Sequence, residues 1–129
     1  MRVLVPTDYS EGSSFALAFA SEQPGADILV LHVATSLDPS EQARLDAWIS
    51  SAGIRARGLI RLGHAPEVIA ETAVEEGCES IILHEGKFGF LGMGSTSKRV
   101  VGRSRVPVQV LRDDHPKHPL EMNLHAADV

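Results

Sequence analysis

A single cysteine, Cys78, is all the thiol chemistry the chain offers. That excludes an intramolecular disulfide framework and a zinc site built from several thiolates. Basic residues are in the minority: 12 lysines and arginines stand against 17 aspartates and glutamates, a formal net charge of -5. A general binder of nucleic acid or of anionic membrane carries the opposite electrostatic footprint. No apolar run approaches the roughly 20 residues of a membrane-spanning helix. The first run, Val3-Leu4-Val5, is closed by Pro6 and falls short of the about 7–15 apolar residues at the heart of a signal peptide. Internal repeats and low-complexity segments are absent too. What remains is a 129-residue chain, 43% hydrophobic. At that length a single domain buries about two-thirds of the surface its unfolded chain exposes, without a metal or disulfide staple. These absences predict a cytoplasmic domain with neither nucleic acid nor membrane among its partners.

The chain alternates strand-like and helix-like segments. Val3–Val5 is a short buried strand, and Ile28–Val33 is a near-continuous apolar run of the kind that parallel sheets cover on both faces. Between them Ser10 caps a helix with Glu11 in its first turn, and Pro24-Gly25 stops it. Asp38-Pro39-Ser40-Glu41 is a second helix start, with the cap, a first-turn proline and an acidic residue three positions on; Gly53 ends that helix. Ile54–Leu62 reads as a strand with Arg55, Arg57 and Arg61 facing outward, a solvated sheet edge. Pro66 opens a third helix that Gly77 stops. Ser80–Leu83 is a further buried strand. A glycine-rich stretch from Gly86 to Gly94 leads to a helix capped by Ser95, and Val106–Leu111 is the last strand. The order β-α-β-α-β-α-β-α-β predicts an α/β fold: one doubly wound, open parallel sheet with helices on both faces. The domain spans residues 1–112. The tail, residues 113–129, is an appendage in which His118-Pro119 either starts a helix with Leu120, Leu124 and Ala127 on one stripe or belongs to a disordered segment.

An open parallel sheet binds ligands beyond the carboxyl ends of its strands, where the strand order reverses. That directs attention to two loops. After the first strand come Pro6, Thr7 and Asp8, whose acceptor-only carboxylate suits a ribose hydroxyl or a cation. After the fourth come Gly86, Lys87, Gly89, Gly94 and Ser95, glycines through which backbone N–H groups approach phosphate oxygens at a helix end.

The ordered set of motifs resembles the universal stress protein family from Arg2 to Arg112. The matching stretches are Val3-Leu4-Val5-Pro6-Thr7-Asp8-Tyr9-Ser10-Glu11-Gly12-Ser13, Leu31-His32-Val33, Gly63-His64-Ala65-Pro66-Glu67-Val68-Ile69, Gly77-Cys78-Glu79-Ser80-Ile81-Ile82-Leu83, Gly94-Ser95 and Val106-Pro107-Val108-Gln109-Val110. The resemblance implies five parallel strands in the order 3-2-1-4-5 and a homodimer through the last strand, Val106–Leu111. It implies a nucleoside site in which Pro6, Thr7, Asp8 and Val33 take the ribose and adenine, and Gly86, Gly89, Gly94 and Ser95 take phosphates, so that ATP, AMP or adenosine is the expected ligand. Two departures stand out. Only Phe90-Leu91-Gly92-Met93 separate Gly89 from Gly94 where the family's phosphate loop, G-x2-G-x9-G-[S/T], has nine residues. His84 stands where the family has a glycine. The nucleoside half of the site is complete and the phosphate half is cut short, so little preference for ATP over AMP or adenosine is expected.

The residues also carry plainer readings. Asp8 caps or braces the first turn on local hydrogen-bonding grounds alone. Cys78 is a packed thiol and His32 a hydrogen-bonded core histidine. Pro116 keeps His115 and His118 off one helix face, so no metal site is expected. No Cys/His or Ser/His/Asp arrangement assembles, and no catalytic residue is assigned. The reading is a dimeric binding or regulatory module of the stress response. A nucleotide hydrolase or phosphoryl-transfer enzyme on the same fold, and an interaction module without a ligand, stand as alternatives.

Overall fold

In a computed structural model, residues 1–85, 95–112 and 120–121 are described. Strands β1 (Arg2–Pro6), β2 (Asp27–Ala34), β3 (Arg57–Leu62), β4 (Ser80–Glu85) and β5 (Val108–Arg112) alternate with helices α1 (Glu11–Ser21), α2 (Pro39–Ser51), α3 (Ala65–Glu75) and α4 (Ser95–Arg103). The five strands are parallel in the order β3-β2-β1-β4-β5, as the motifs imply. A sixth, β6 (Leu120–Glu121), lies antiparallel on the outer edge of β5, opposite Leu111 and Val110. Of the tail, only Leu120 and Glu121 are among the described residues; they form a strand where the sequence offers a helix, because the open edge of β5 supplies backbone partners, and the rest of that reading, with Leu124 and Ala127, lies outside the described residues.

Alternation along the strands builds two cores. Val3, Val5, Val30 and Ile82 face α1 and α2, where Leu17, Leu45 and Ile49 meet them. Leu4, Leu29, Leu31, Ile81 and Leu83 face α3 and α4, against Ile69, Ala73 and Val100. β1 is the central strand, with Val3, Leu4 and Val5 all at 0% exposure, and β3 is an edge as its arginines predict. Cys78 is buried among the α3–α4 core residues, and burial pushes its thiol pKa up, as befits a packed thiol.

Two strands begin later than the sequence reading places them. β3 begins at Arg57, because the register pairs Arg57 with Leu29; Ile54 and Ala56 still pack on the α1–α2 core from the preceding loop. β5 begins at Val108, because the Val106 backbone is tied to the Ser104 hydroxyl and Pro107 has no N–H to give. Arg61 is not part of a solvated edge either. Strand alternation turns it toward α3, where it pairs with Glu75 and Glu76.

The helix starts follow their caps. Ser10 Oγ accepts from the Ser13 N–H at 3.2 Å, and Asp38 Oδ1 from the Ser40 N–H at 2.8 Å. Those hydrogen bonds hold the Asp38 carboxyl below its ordinary range, as Arg2 does for Asp27 and His64 for Glu67. A carboxylate whose folded pKa is depressed adds stability that is fully present above its unfolded pKa, about 4, and is lost as pH falls through the folded value. Asp27 and Asp38 are exposed and Glu67 is half-buried at the surface, so the effect is screened. The thermal midpoint is expected to hold level above about pH 5 and to fall toward pH 3. Asp38→Asn, which keeps an acceptor at the cap but removes the titrating group, should make the fall shallower in a pH series of thermal melts. An unchanged slope would remove Asp38 from the account.

Candidate functional site

The strand order reverses at β1, which has β2 on one side and β4 on the other. Because Val3 and Leu4 pair with Ser80 and Ile81, the loop that leaves β1 emerges beside the end of β4. The two loops singled out in the sequence thus start from neighbouring strands.

Pro6 ends β1 and is buried. Thr7 follows at 2% exposure and extends the ladder, its N–H donating to the Leu31 carbonyl at 2.8 Å. The Thr7 hydroxyl donates to Ser13 Oγ and accepts from the Tyr9 N–H, both at 2.9 Å. The Thr7 carbonyl lies 2.8 Å from His32 Nδ1. A carbonyl only accepts, so that ring nitrogen carries the proton. Half-buried Asp8 accepts the Ser10 N–H on Oδ1 at 3.0 Å, with the Ser13 hydroxyl 3.4 Å away. The bracing role anticipated for Asp8 is therefore real, and it fixes the carboxylate at the mouth of the loop.

Tyr9 turns the chain with φ of 67°, left-handed and costly for a residue with a side chain. Its surroundings over-determine it. The ring lies on His32 with centroids 4.5 Å apart, meets Trp48 edge-on at 5.8 Å, and takes the Arg44 guanidinium at 4.1 Å over its face. Burial raises the phenol's pKa against the pull of Arg44. The hydroxyl is buried with no hydrogen-bond partner among the described residues. Glu41, placed at the third position after the cap, leaves the cap and comes within 4.0 Å of His32 Nε2. The clamp on this loop was missed in the sequence, although Glu41, Arg44 and Trp48 fall on one face of α2 at the spacing that marks a stripe.

Of the remaining candidates, Val33 sits half-buried at the carboxyl end of β2, against the α3–α4 core. Ser95 is the first residue of α4. Gly86, Gly89 and Gly94 lie outside the described residues. His84 and Glu85 end β4 and point to opposite layers. His84, 7% exposed, fills the space beneath the first turn of α1, edge-on to Phe15 at 6.0 Å; a Cβ on Gly12 would come within 2.3 Å of its Nδ1. Glu85 turns toward α4 and β5, where it accepts from the Ser97 hydroxyl and pairs with Arg112 at 3.7 Å.

A separate hollow of about 400 Å³ lies between α3 and α4, lined by Glu67, Glu71, Glu75, Arg103 and Arg105 over Ala70 and Val74. Glu67 and Arg103 pair across it at 3.1 Å, and it is away from the strand ends. Among the described residues no group of three or more His, Cys, Asp or Glu side chains is placed to hold a metal ion, and no helix is long and apolar enough to cross a membrane.

Comparison with known proteins bears on the fold. No family model and no curated protein matches the chain by sequence. Solved structures do. A universal stress protein from Archaeoglobus fulgidus in complex with dAMP superimposes with a TM-score of 0.69 at 21% identity, over 85% of this chain and 96% of that one. A universal stress protein family protein from Arabidopsis thaliana with AMP bound gives 0.66 at 17% identity, over 92% and 96%. A second Archaeoglobus fulgidus protein, from strain DSM 4304, gives 0.67 at 29% identity, covering 88% of this chain and 45% of that one. The chain is built on the universal stress protein fold, as its ordered motifs imply.

Proposed function

We propose that this chain is a universal stress-type binding or regulatory module that holds an adenine nucleoside or nucleotide between the β1–α1 loop and the loop after β4. The observation that carries the reading is the β1–α1 loop itself. It is locked in a left-handed turn by Thr7, Ser13, His32 and Arg44, and it presents Asp8 where the strand order reverses. Strain held at such a place is a mark of function. The bound dAMP and AMP of the two relatives support the ligand class. A cytoplasmic location and a part in the stress response belong to the same reading.

So does self-association through β5. Its edge carries Val108, Val110 and Leu111 with no charged residue before Arg112. β6 covers only two of its positions, and a partner's β5 would replace it there.

Calorimetric titration with adenosine, AMP and ATP tests the ligand. Binding of adenosine with little gain from the phosphates is expected. Asp8→Ala should weaken adenosine about tenfold or more, the loss of one charge-assisted hydrogen bond of about 1.5–3 kcal/mol. Equal affinity of the variant and the parent protein would take Asp8 out of the site. Failure of all three ligands to bind would overturn the reading.

A further inference from the structure

The carboxylate that ends β4 is unusual for a site expected to face phosphates. The Glu85 side chain is only 17% exposed, and an anion that far from water needs partners. It has them. The Ser97 hydroxyl in the first turns of α4 donates to Oε1, the Arg112 guanidinium lies 3.7 Å from Oε2, and Lys98 lines the same small hollow with Val101 and Val110. A hydroxyl and a guanidinium that meet one carboxylate, with an exposed lysine on the rim of the same hollow, are the groups that proteins use to recognise phosphate. The set also has capacity to spare: Arg112 Nε is buried with no hydrogen-bond partner among the described residues. His84, the residue before, faces the opposite layer, toward Phe15 of α1.

We propose that Glu85 is a built-in anion: its carboxylate occupies a phosphate-type subsite formed by Ser97, Lys98 and Arg112, and so selects against phosphorylated ligands. Placing the subsite beside a nucleoside rests on the functional reading above; the anion subsite itself rests on these four side chains. A ligand phosphate would have to displace the carboxylate or lie against it, and like charges at that distance in a half-dry site repel strongly. Glu85 is then a specificity-determining residue, and the chain prefers uncharged nucleosides for a reason separate from the length of its glycine loop.

The test uses inorganic pyrophosphate, which needs no nucleoside site. Glu85→Gln keeps the shape and an acceptor for Ser97 while removing the charge. Titrated by calorimetry at low salt, the full-length parent protein should show no measurable pyrophosphate binding at millimolar concentration, and Glu85→Gln should bind it at least about tenfold more tightly. Adding Arg112→Gln to that variant should abolish the gain. Glu85→Ser, with circular dichroism and thermal melts on every variant, supplies a second neutral side chain if glutamine disturbs the fold. Folded Glu85→Gln and Glu85→Ser proteins without a gain would overturn the proposal, as would a gain that survives loss of Arg112. Adenosine titrated against the parent protein separates the two readings: its failure to bind sinks the nucleoside site and leaves the pyrophosphate result to decide the subsite.

Discussion

Alanine at Gly12 will destabilise the domain by about 1–3 kcal/mol, the usual cost of overpacking a filled site. The methyl group would arrive 2.3 Å from His84 Nδ1, well inside contact distance. The imidazole has little room to retreat, since it is 7% exposed and held edge-on by Phe15. Most glycine-to-alanine changes in a helix stabilise it, so a loss here has the opposite sign from propensity and reports the close approach. The partner is named by the same geometry. His84→Ala on its own leaves a void under α1 and should also destabilise. In the double variant the new methyl moves into that void, and the two losses should fall short of their sum by about 0.5–3 kcal/mol. Urea unfolding of the four proteins measures the coupling. Strict additivity would mean that the two residues do not share the space the structure assigns them.

Cutting the chain after Arg112 should tighten self-association by at least about tenfold. Each protomer uncovers two ladder positions on β5, and each backbone hydrogen bond regained across the dimer is worth about 0.5–1.5 kcal/mol. A two-residue strand is a weak cover, so the full chain should show monomer and dimer in exchange. Light scattering across a concentration series reads both. A shortened chain that stays monomeric at every concentration would rule out β5 as the association edge and leave β6 a strand that stabilises the sheet and nothing more.

Much of the sheet was legible in the residues because its strands are chemically distinct. Val3–Val5 and Ile28–Val33 are unbroken apolar runs, which only a strand covered on both faces tolerates, while the arginines around Arg57 mark a strand that has water on one side. The helix starts at Ser10 and Asp38 were legible because a cap is a local bond between residues two or three apart. The site was legible only in part, and the division is physical. That Thr7 and Asp8 sit in the loop after a central strand follows from the order of the elements. The lock on that loop does not, because it joins Tyr9 to Arg44 and Trp48 on a distant helix through a left-handed tyrosine that no propensity anticipates. Glu85 was passed over for a related reason. Its meaning lies in Ser97 and Arg112, which come from the next helix and the next strand and meet it only in the folded chain. β6 escaped notice because its two residues owe their shape to a neighbouring edge rather than to their own pattern.

The aromatic lock has a consequence for how a ligand is received. A loop that must order itself on contact gives up part of its binding energy to that ordering, commonly about 0.5–1.5 kcal/mol for each side chain immobilised. Here Tyr9 is already pinned by His32, Trp48 and Arg44 in the folded chain, so the ordering is completed during folding. If the β1–α1 loop holds the proposed nucleoside, its affinity would be set partly by α2, a helix that need never touch the ligand. On that reading, drift in sequence at Arg44 or Trp48 would loosen the loop that receives the nucleoside without touching Thr7 or Asp8.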